Sequence, residues 1–294
     1  FPALLIRDPM SPQPEVIELC RMPFAAQYGY SGIASDPNGG FFVSIDTGKP
    51  ESSGVRKFFA DGSPDHSFAR NGMLQLNRRC LGLDIISNYL LVAVDWGEVI
   101  VCDTRTGSVI NRISSGSSQP IYVRDIAIDP KSLRIFGVAQ GGLVTWGRGL
   151  PWEPGSYRFR AVTPAVLKPR AGEGLRVDPV KRTVLIAHSP GNVLQEIHGN
   201  GTVMSYPVPT AAPDAQLSDM ILSFDGSTLF ISDLIGQKIH VMKRDLARAI
   251  AQSRLPKHTP VQQRQGQATA NADAPDWHRS YQDALEKARN QKRP

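Results

Sequence analysis

Ser31-Gly32-Ile33-Ala34-Ser35-Asp36-Pro37, followed by Gly40-Phe41-Phe42-Val43-Ser44, is the stretch whose recurrence decides the fold. It reads as an alternating strand, a turn and a second apolar strand. The pattern returns as Leu81-Gly82-Leu83-Asp84-Ile85 with Tyr89-Leu90-Leu91-Val92-Ala93-Val94-Asp95, and as Arg124-Asp125-Ile126-Ala127-Ile128-Asp129-Pro130 with Leu133-Arg134-Ile135-Phe136-Gly137-Val138. It returns again as Glu173-Gly174-Leu175-Arg176-Val177-Asp178-Pro179 with Thr183-Val184-Leu185-Ile186-Ala187-His188, and as Ser218-Asp219-Met220-Ile221-Leu222-Ser223-Phe224-Asp225-Gly226 with Thr228-Leu229-Phe230-Ile231-Ser232-Asp233. With Gly32, Gly82, Asp125, Gly174 and Asp219 as equivalents, the spacings are 50, 43, 49 and 45 residues.

Strand–turn–strand units at a period of about 40–50 residues predict an all-β fold, a β-propeller. Each repeat runs on into a third strand, at 55–59, 98–103, 142–146, 193–198 and 238–243, and then to an outer strand such as 203–208. The fifth repeat lacks the outer strand. Glu15-Val16-Ile17-Glu18-Leu19-Cys20 lies ahead of the first repeat and is expected to supply it, closing the ring and removing exposed sheet edges. Five blades are expected. Six would require residues 3–6 and the 147–171 insertion to contribute further strands.

Around this core the chain divides into an N-terminal extended segment and closing strand (1–27), the propeller (28–244), a short helix N-capped by Asp245 (245–255), a flexible linker (256–275) and an amphipathic C-terminal helix (276–291). In that last helix Trp277, Tyr281, Ala284, Leu285 and Ala288 share one face. A lone helix of this length is marginal in water, so its aromatic face needs a surface to bury it. It docks either on its own propeller or, as the sharper reading, on another protein subunit through Trp277, Tyr281 and Leu285.

Composition excludes several classes. The 294 residues are 41% hydrophobic and 20% charged, which argues against wholesale disorder. No apolar run reaches the roughly 18–20 residues of a membrane helix. Three cysteines, Cys20, Cys80 and Cys102, exclude a disulfide-dense scaffold and read as small buried hydrophobes. The net charge is +6, but residues 252–294 hold eight Lys or Arg against four acids, so +4 of it sits on the tail. Basicity is therefore poor support for nucleic-acid binding by the propeller. The sequence opens on Phe1, which is read as an exported, periplasmic or otherwise extracytoplasmic chain whose leader has been removed; a cytoplasmic location stays open.

The repeat resembles the NHL and gluconolactonase-like group of propellers over about residues 28–244. The resemblance rests on Ser31-Gly32-Ile33-Ala34-Ser35-Asp36-Pro37 with Phe42-Val43-Ser44, and on Met220 to Gly226 with Leu229-Phe230-Ile231-Ser232-Asp233. Residues 61–68 resemble the tail of a bacterial propeller repeat. The resemblance implies the fold and leaves the function open, because the wider group includes lactonases, lyases and binding propellers. A lactonase-like member would hold one divalent cation, Ca²⁺ or Zn²⁺, at the channel mouth. Glu173-Gly174-Leu175 resembles the glutamate-bearing start of such a family, and the implied ligands are Glu173, Asp125 and Asp219. Strand alternation turns Asp125 and Asp219 away from the face of Glu173 unless a register bulge intervenes.

Other candidates have structural readings. Asp36, Asp129, Asp178 and Asp225 recur at one turn, which argues for turn chemistry. The six histidines show no paired ligand spacing; His188 aligns with Asp95 and Asp233. No Gly-x-Ser-x-Gly elbow or phosphate-binding loop occurs. In the least repeat-like stretch, Trp152, Tyr157, Arg158 and Arg160 form a candidate partner surface, the alternative being a long hairpin with Trp152 folded against the blade. The expected function is a non-catalytic propeller that binds or scaffolds other subunits, with no cofactor; the alternative is the metal-dependent lactonase-like hydrolase.

Overall fold

In the computed structural model the propeller strands follow the repeat. The structure describes residues 2–7, 15–21, 29–116, 121–139, 142–147, 149–155, 157–162, 174–188, 192–208, 211, 213, 215–222, 227–233, 236 and 238–243. An N-terminal pair, β1 (Pro2–Arg7) and β2 (Glu15–Arg21), forms its own two-stranded antiparallel sheet. The first blade is β3 (Gly29–Ser35), β4 (Phe41–Asp46), β5 (Gly54–Phe58) and β6 (Met73–Gln75). The second is β7 (Cys80–Ile86), β8 (Tyr89–Val94), β9 (Glu98–Asp103) and β10 (Val109–Ile113). The third is β11 (Val123–Ile128), β12 (Ile135–Ala139), β13 (Gly142–Gly147) and β14 (Arg158–Val162). The fourth is β15 (Gly174–Val177), β16 (Val184–Ala187), β17 (Val193–Ile197) and β18 (Val203–Pro207). The fifth has three strands, β19 (Leu217–Leu222), β20 (Thr228–Asp233) and β21 (Lys238–Lys243).

The architecture is thus a β-propeller of five blades, each an antiparallel meander. The expected closing strand is corrected. β2 hydrogen-bonds to β1, and among the described residues β21 is an edge of its sheet. Pairing with a strand seven residues upstream closes a far shorter loop than pairing with β21, and loop-closure entropy favours it. The sixth-blade alternative fails on the same count: residues 3–6 lie in the β1–β2 pair, and 158–162 are the outer strand of the third blade. Both C-terminal helices and the linker lie outside the described residues.

Burial explains why these strands read as near-continuous apolar runs. On β8, Leu90, Val92 and Val94 join the core shared with the first blade, while Leu91 and Ala93 join the core shared with the third. A strand packed on both faces has no polar side to alternate with. The inner strands stack in chain order, β3 on β7, β7 on β11, β11 on β15 and β15 on β19.

The recurring glycine sets how closely they approach. A Cβ on Gly82 would lie 2.5 Å from the Cα of Asp125, and one on Gly174 would lie 2.8 Å from the Cα of Asp219. Beside this position the register slips, between Tyr30 and Gly32, Cys80 and Leu83, Val123 and Asp125, and Leu217 and Met220. Such bulges re-aim side chains at functional or packing sites.

The turn aspartates do what the sequence implies. Oδ1 of Asp36 accepts the Asn38 amide, that of Asp129 the Lys131 amide and that of Asp178 the Val180 amide. Each mimics a backbone turn bond. Asp225 lies outside the described residues.

Candidate functional site

Inner strands of four successive blades bring one arginine and three aspartates together. Arg176 on β15 donates from Nη1 to Oδ2 of Asp125 on β11 and from Nη2 to Oδ1 of Asp219 on β19, each at 3.0 Å. Asp84 on β7 is a fourth member, coupled electrostatically to Arg176. The carboxylates also hold backbone. Asp125 Oδ2 accepts the Leu175 amide of the next blade at 2.8 Å, and Asp84 Oδ2 accepts the Ile128 amide of its next blade at 2.7 Å. Each of these aspartates, and Asp219, uses Oδ1 for the amide of its own following residue.

The bulges create this convergence. They turn Asp125 and Asp219 toward one point despite simple alternation, and Arg176 reaches it from between them. Burial raises both Asp84 and Asp125 against the opposing pull of Arg176, Asp125 to about 8. A buried cluster of this kind must be paired to exist at all. Arginine suits the place because its planar fork can engage a carboxylate on each side.

Two of the three implied metal ligands, Asp125 and Asp219, are therefore engaged by a guanidinium. Glu173 lies outside the described residues. Among the described residues no group of three or more His, Cys, Asp or Glu side chains is arranged to hold a metal ion. Spacing alone does not single out Arg176. Its signal was a lone cation where the other repeats carry Ala34, Asp84, Ala127 and Ile221.

Among the described residues, a second recurring position lies at the end of the second strand in the first, second, fourth and fifth blades. Asp46 binds Arg79 of the second blade, Nη2 to Oδ2 at 2.7 Å. Asp95 lies 3.8 Å from Arg78. His188 Nε2 pairs with Gln195 at 2.8 Å, and Asp233 Oδ2 with His240 at 3.3 Å. All four second-strand-end residues are buried. They act on neighbouring protein groups, as loop-fixing side chains do.

Elsewhere, a pocket of about 330 Å³ is lined by Asn38, Lys57, Asn88, Asp103, Thr104 and Arg105. Its lysine is engaged by Asp36 at 2.9 Å and by the Thr104 carbonyl at 3.1 Å.

The Trp152 loop folds back on the second blade. Trp152 is half-buried and stacks on Tyr89, ring centroids 4.4 Å apart. Asn111 donates to the carbonyls of Pro151 and Glu153. The Tyr157 hydroxyl donates to the Leu133 carbonyl. Arg158 and Arg160 lie on β14 opposite Gly147 and Thr145. Trp277, Tyr281 and Leu285 lie outside the described residues.

Comparison with known proteins agrees with the fold. No protein-family model and no curated protein matches the chain. Among solved structures, a streptogramin B lyase is 13% identical over 74% of this chain and 68% of its own, with a TM-score of 0.51. A Bacteroides thetaiotaomicron protein of unknown function is also 13% identical, over 70% of this chain and 52% of its own, with a TM-score of 0.53. Identities this low show a shared β-propeller fold, and fold alone does not carry activity.

Proposed function

We propose that the chain is a non-catalytic β-propeller that binds or scaffolds other subunits of a larger, extracytoplasmic assembly. The observation that carries this reading is the state of the inner-strand charges. Arg176, Asp125 and Asp219 are spent on one another, and Asp84 and Asp125 on the backbone of the next blade. A catalytic constellation keeps groups available to a substrate; this one ties blades together. In this reading the partner is engaged by the C-terminal segment 276–291, with Trp277, Tyr281 and Leu285 as its apolar anchors.

The test is deletion of residues 256–294 together with a Trp277→Ala/Tyr281→Ala variant in the full chain. The propeller should stay folded while the native complex is lost on co-purification. Survival of the complex in both would refute the role given to that segment. Metal analysis separates the alternative: one tightly bound Ca²⁺ or Zn²⁺, lost on Glu173→Ala, would favour the lactonase-like hydrolase instead.

A further inference from the structure

Contacts between successive blades follow one rule. The residue after the recurring glycine or aspartate faces the preceding blade: Leu83 packs in one core with Phe42 and Val55, Ile126 with Leu91 and Ala93. Leu175 packs with Val138, and Met220 with Leu185 and Ala187. None of Leu83, Ile126, Leu175 and Met220 is more than 2% exposed. The next residue along faces the following blade, as Ala127 does against Leu175.

Two positions depart from the rule, at the two ends of the series. Ile33 holds the preceding-blade position on β3 and is 45% exposed. Ile221 holds the following-blade position on β19 and is 50% exposed. Phe230 stands opposite Ile221, and Val241 opposite Phe230, so they share its face. Ile239, two residues before Val241, lies on that face too; it and Val241 are 45% and 40% exposed. The outward face of the fifth blade thus carries an apolar patch, Ile221, Phe230, Ile239 and Val241, bordered by Thr228, Ser232 and Lys243, and an exposed isoleucine marks the first blade at the other end.

We propose that residues 245–255 of this chain pack as a short helix on that face of the fifth blade. The leash decides for this occupant. Only Arg244 separates the segment from β21, so Leu246 cannot lie more than about 10 Å from the end of the strand. The segment also has the right face: Leu246, Ala249 and Ile250 fall at i, i+3 and i+4, with Arg248 and Gln252 on the opposite side. Eleven residues of helix span about 16 Å, enough to cross three strands spaced about 4.8 Å apart. A helix so short gains its stability from such packing. The edge of β21 is the poorer seat, since Lys238 and Lys243 at its ends discourage another strand. This helix differs from 276–291, which remains for the partner.

Amide hydrogen exchange on the full chain tests this. Leu246→Ala/Ile250→Ala keeps helix propensity and removes the buried groups, and should speed exchange in β20 and β21 about tenfold while leaving β8 and β9 unchanged. Arg248→Ala/Gln252→Ala should change neither. Combined with Ile239→Ala/Val241→Ala, the apolar pair should show less than additive loss, as contacting residues do. Unchanged exchange in β20 and β21, or strict additivity, overturns the proposal. So does a dimer in light scattering that Ile221→Asp dissociates and Leu246→Ala/Ile250→Ala does not, because the face then belongs to a second copy.

Discussion

Arg176 Nη1 lies 3.0 Å from Oδ2 of Asp125, joining the inner strand of the fourth blade to that of the third. The arginine is largely buried and the carboxylate more so, with side-chain exposures of 15% and 7%. Removing one member of such a pair strands the other. Arg176→Met should therefore cost about 3–5 kcal/mol. Asp219→Asn, at the more exposed end of the same fork, should cost about 1 kcal/mol or less. Denaturant midpoints measure both; a loss for Arg176→Met no larger than for Asp219→Asn would show that the cluster does not hold the blades.

Gly82 offers a backbone test. Its added methyl would meet the Asp125 backbone, which has no flexible end to move aside. Gly82→Ala should cost about 3 kcal/mol. Gly199→Ala, with nothing within 4 Å of the new Cβ, should stay within about 0.5 kcal/mol of the parent. Thermal melts of the two variants would decide; equal stabilities would contradict the close approach of β7 and β11.

Cys80 and Cys102 should be inert. Both are fully buried, and burial pushes both thiols up to about 12. The thiolate is the reactive form. A disulfide reagent at neutral pH should leave these two unlabelled in the native protein and label them on unfolding, as peptide mapping would show. Rapid native labelling of either would be inconsistent with the core assigned to it.

His188 predicts a pH dependence. Burial lowers its pKa, and the hydrogen bond with Gln195 opposes this only in part. In the unfolded chain it takes a proton near pH 6.5. The stability it supplies is complete above that value and is lost as pH falls toward the folded pKa. His188→Gln should flatten the decline of stability between about pH 7 and pH 5. Parallel curves for parent and variant would assign the decline to other groups.

The blade repeat was readable because local chemistry writes it. Glu98–Asp103 and Lys238–Lys243 coincide with their expected strands, and the Asp-Pro turns at Asp36, Asp129 and Asp178 are built as their residue types imply. The pairing of β2 was not readable. Its apolar pattern suits several partners, and the choice between β1 and β21 depends on chain entropy and distant geometry. The convergence of Asp125 and Asp219 depended on a bulge, a one-residue slip that leaves no mark in the hydrophobic pattern. Arg176 was visible as an odd cation, but its meaning came from two neighbours 51 and 43 residues away.

The forward-reaching carboxylates make the chain resist pulling unequally from its two ends. Asp84 and Asp125 each grip an amide in the blade that follows, so the third and fourth blades each leave only by breaking a bond their predecessor holds. Tension on the N-terminal side meets the Asp46–Arg79 pair, the Lys57 bond to Thr104 and the Ser44 bond to Leu81 together at the first junction. Among the described residues, tension on the C-terminal side meets the Arg176–Asp219 tie. Mechanical unravelling should begin at the fifth blade and leave a shortened, still cohesive stack of four.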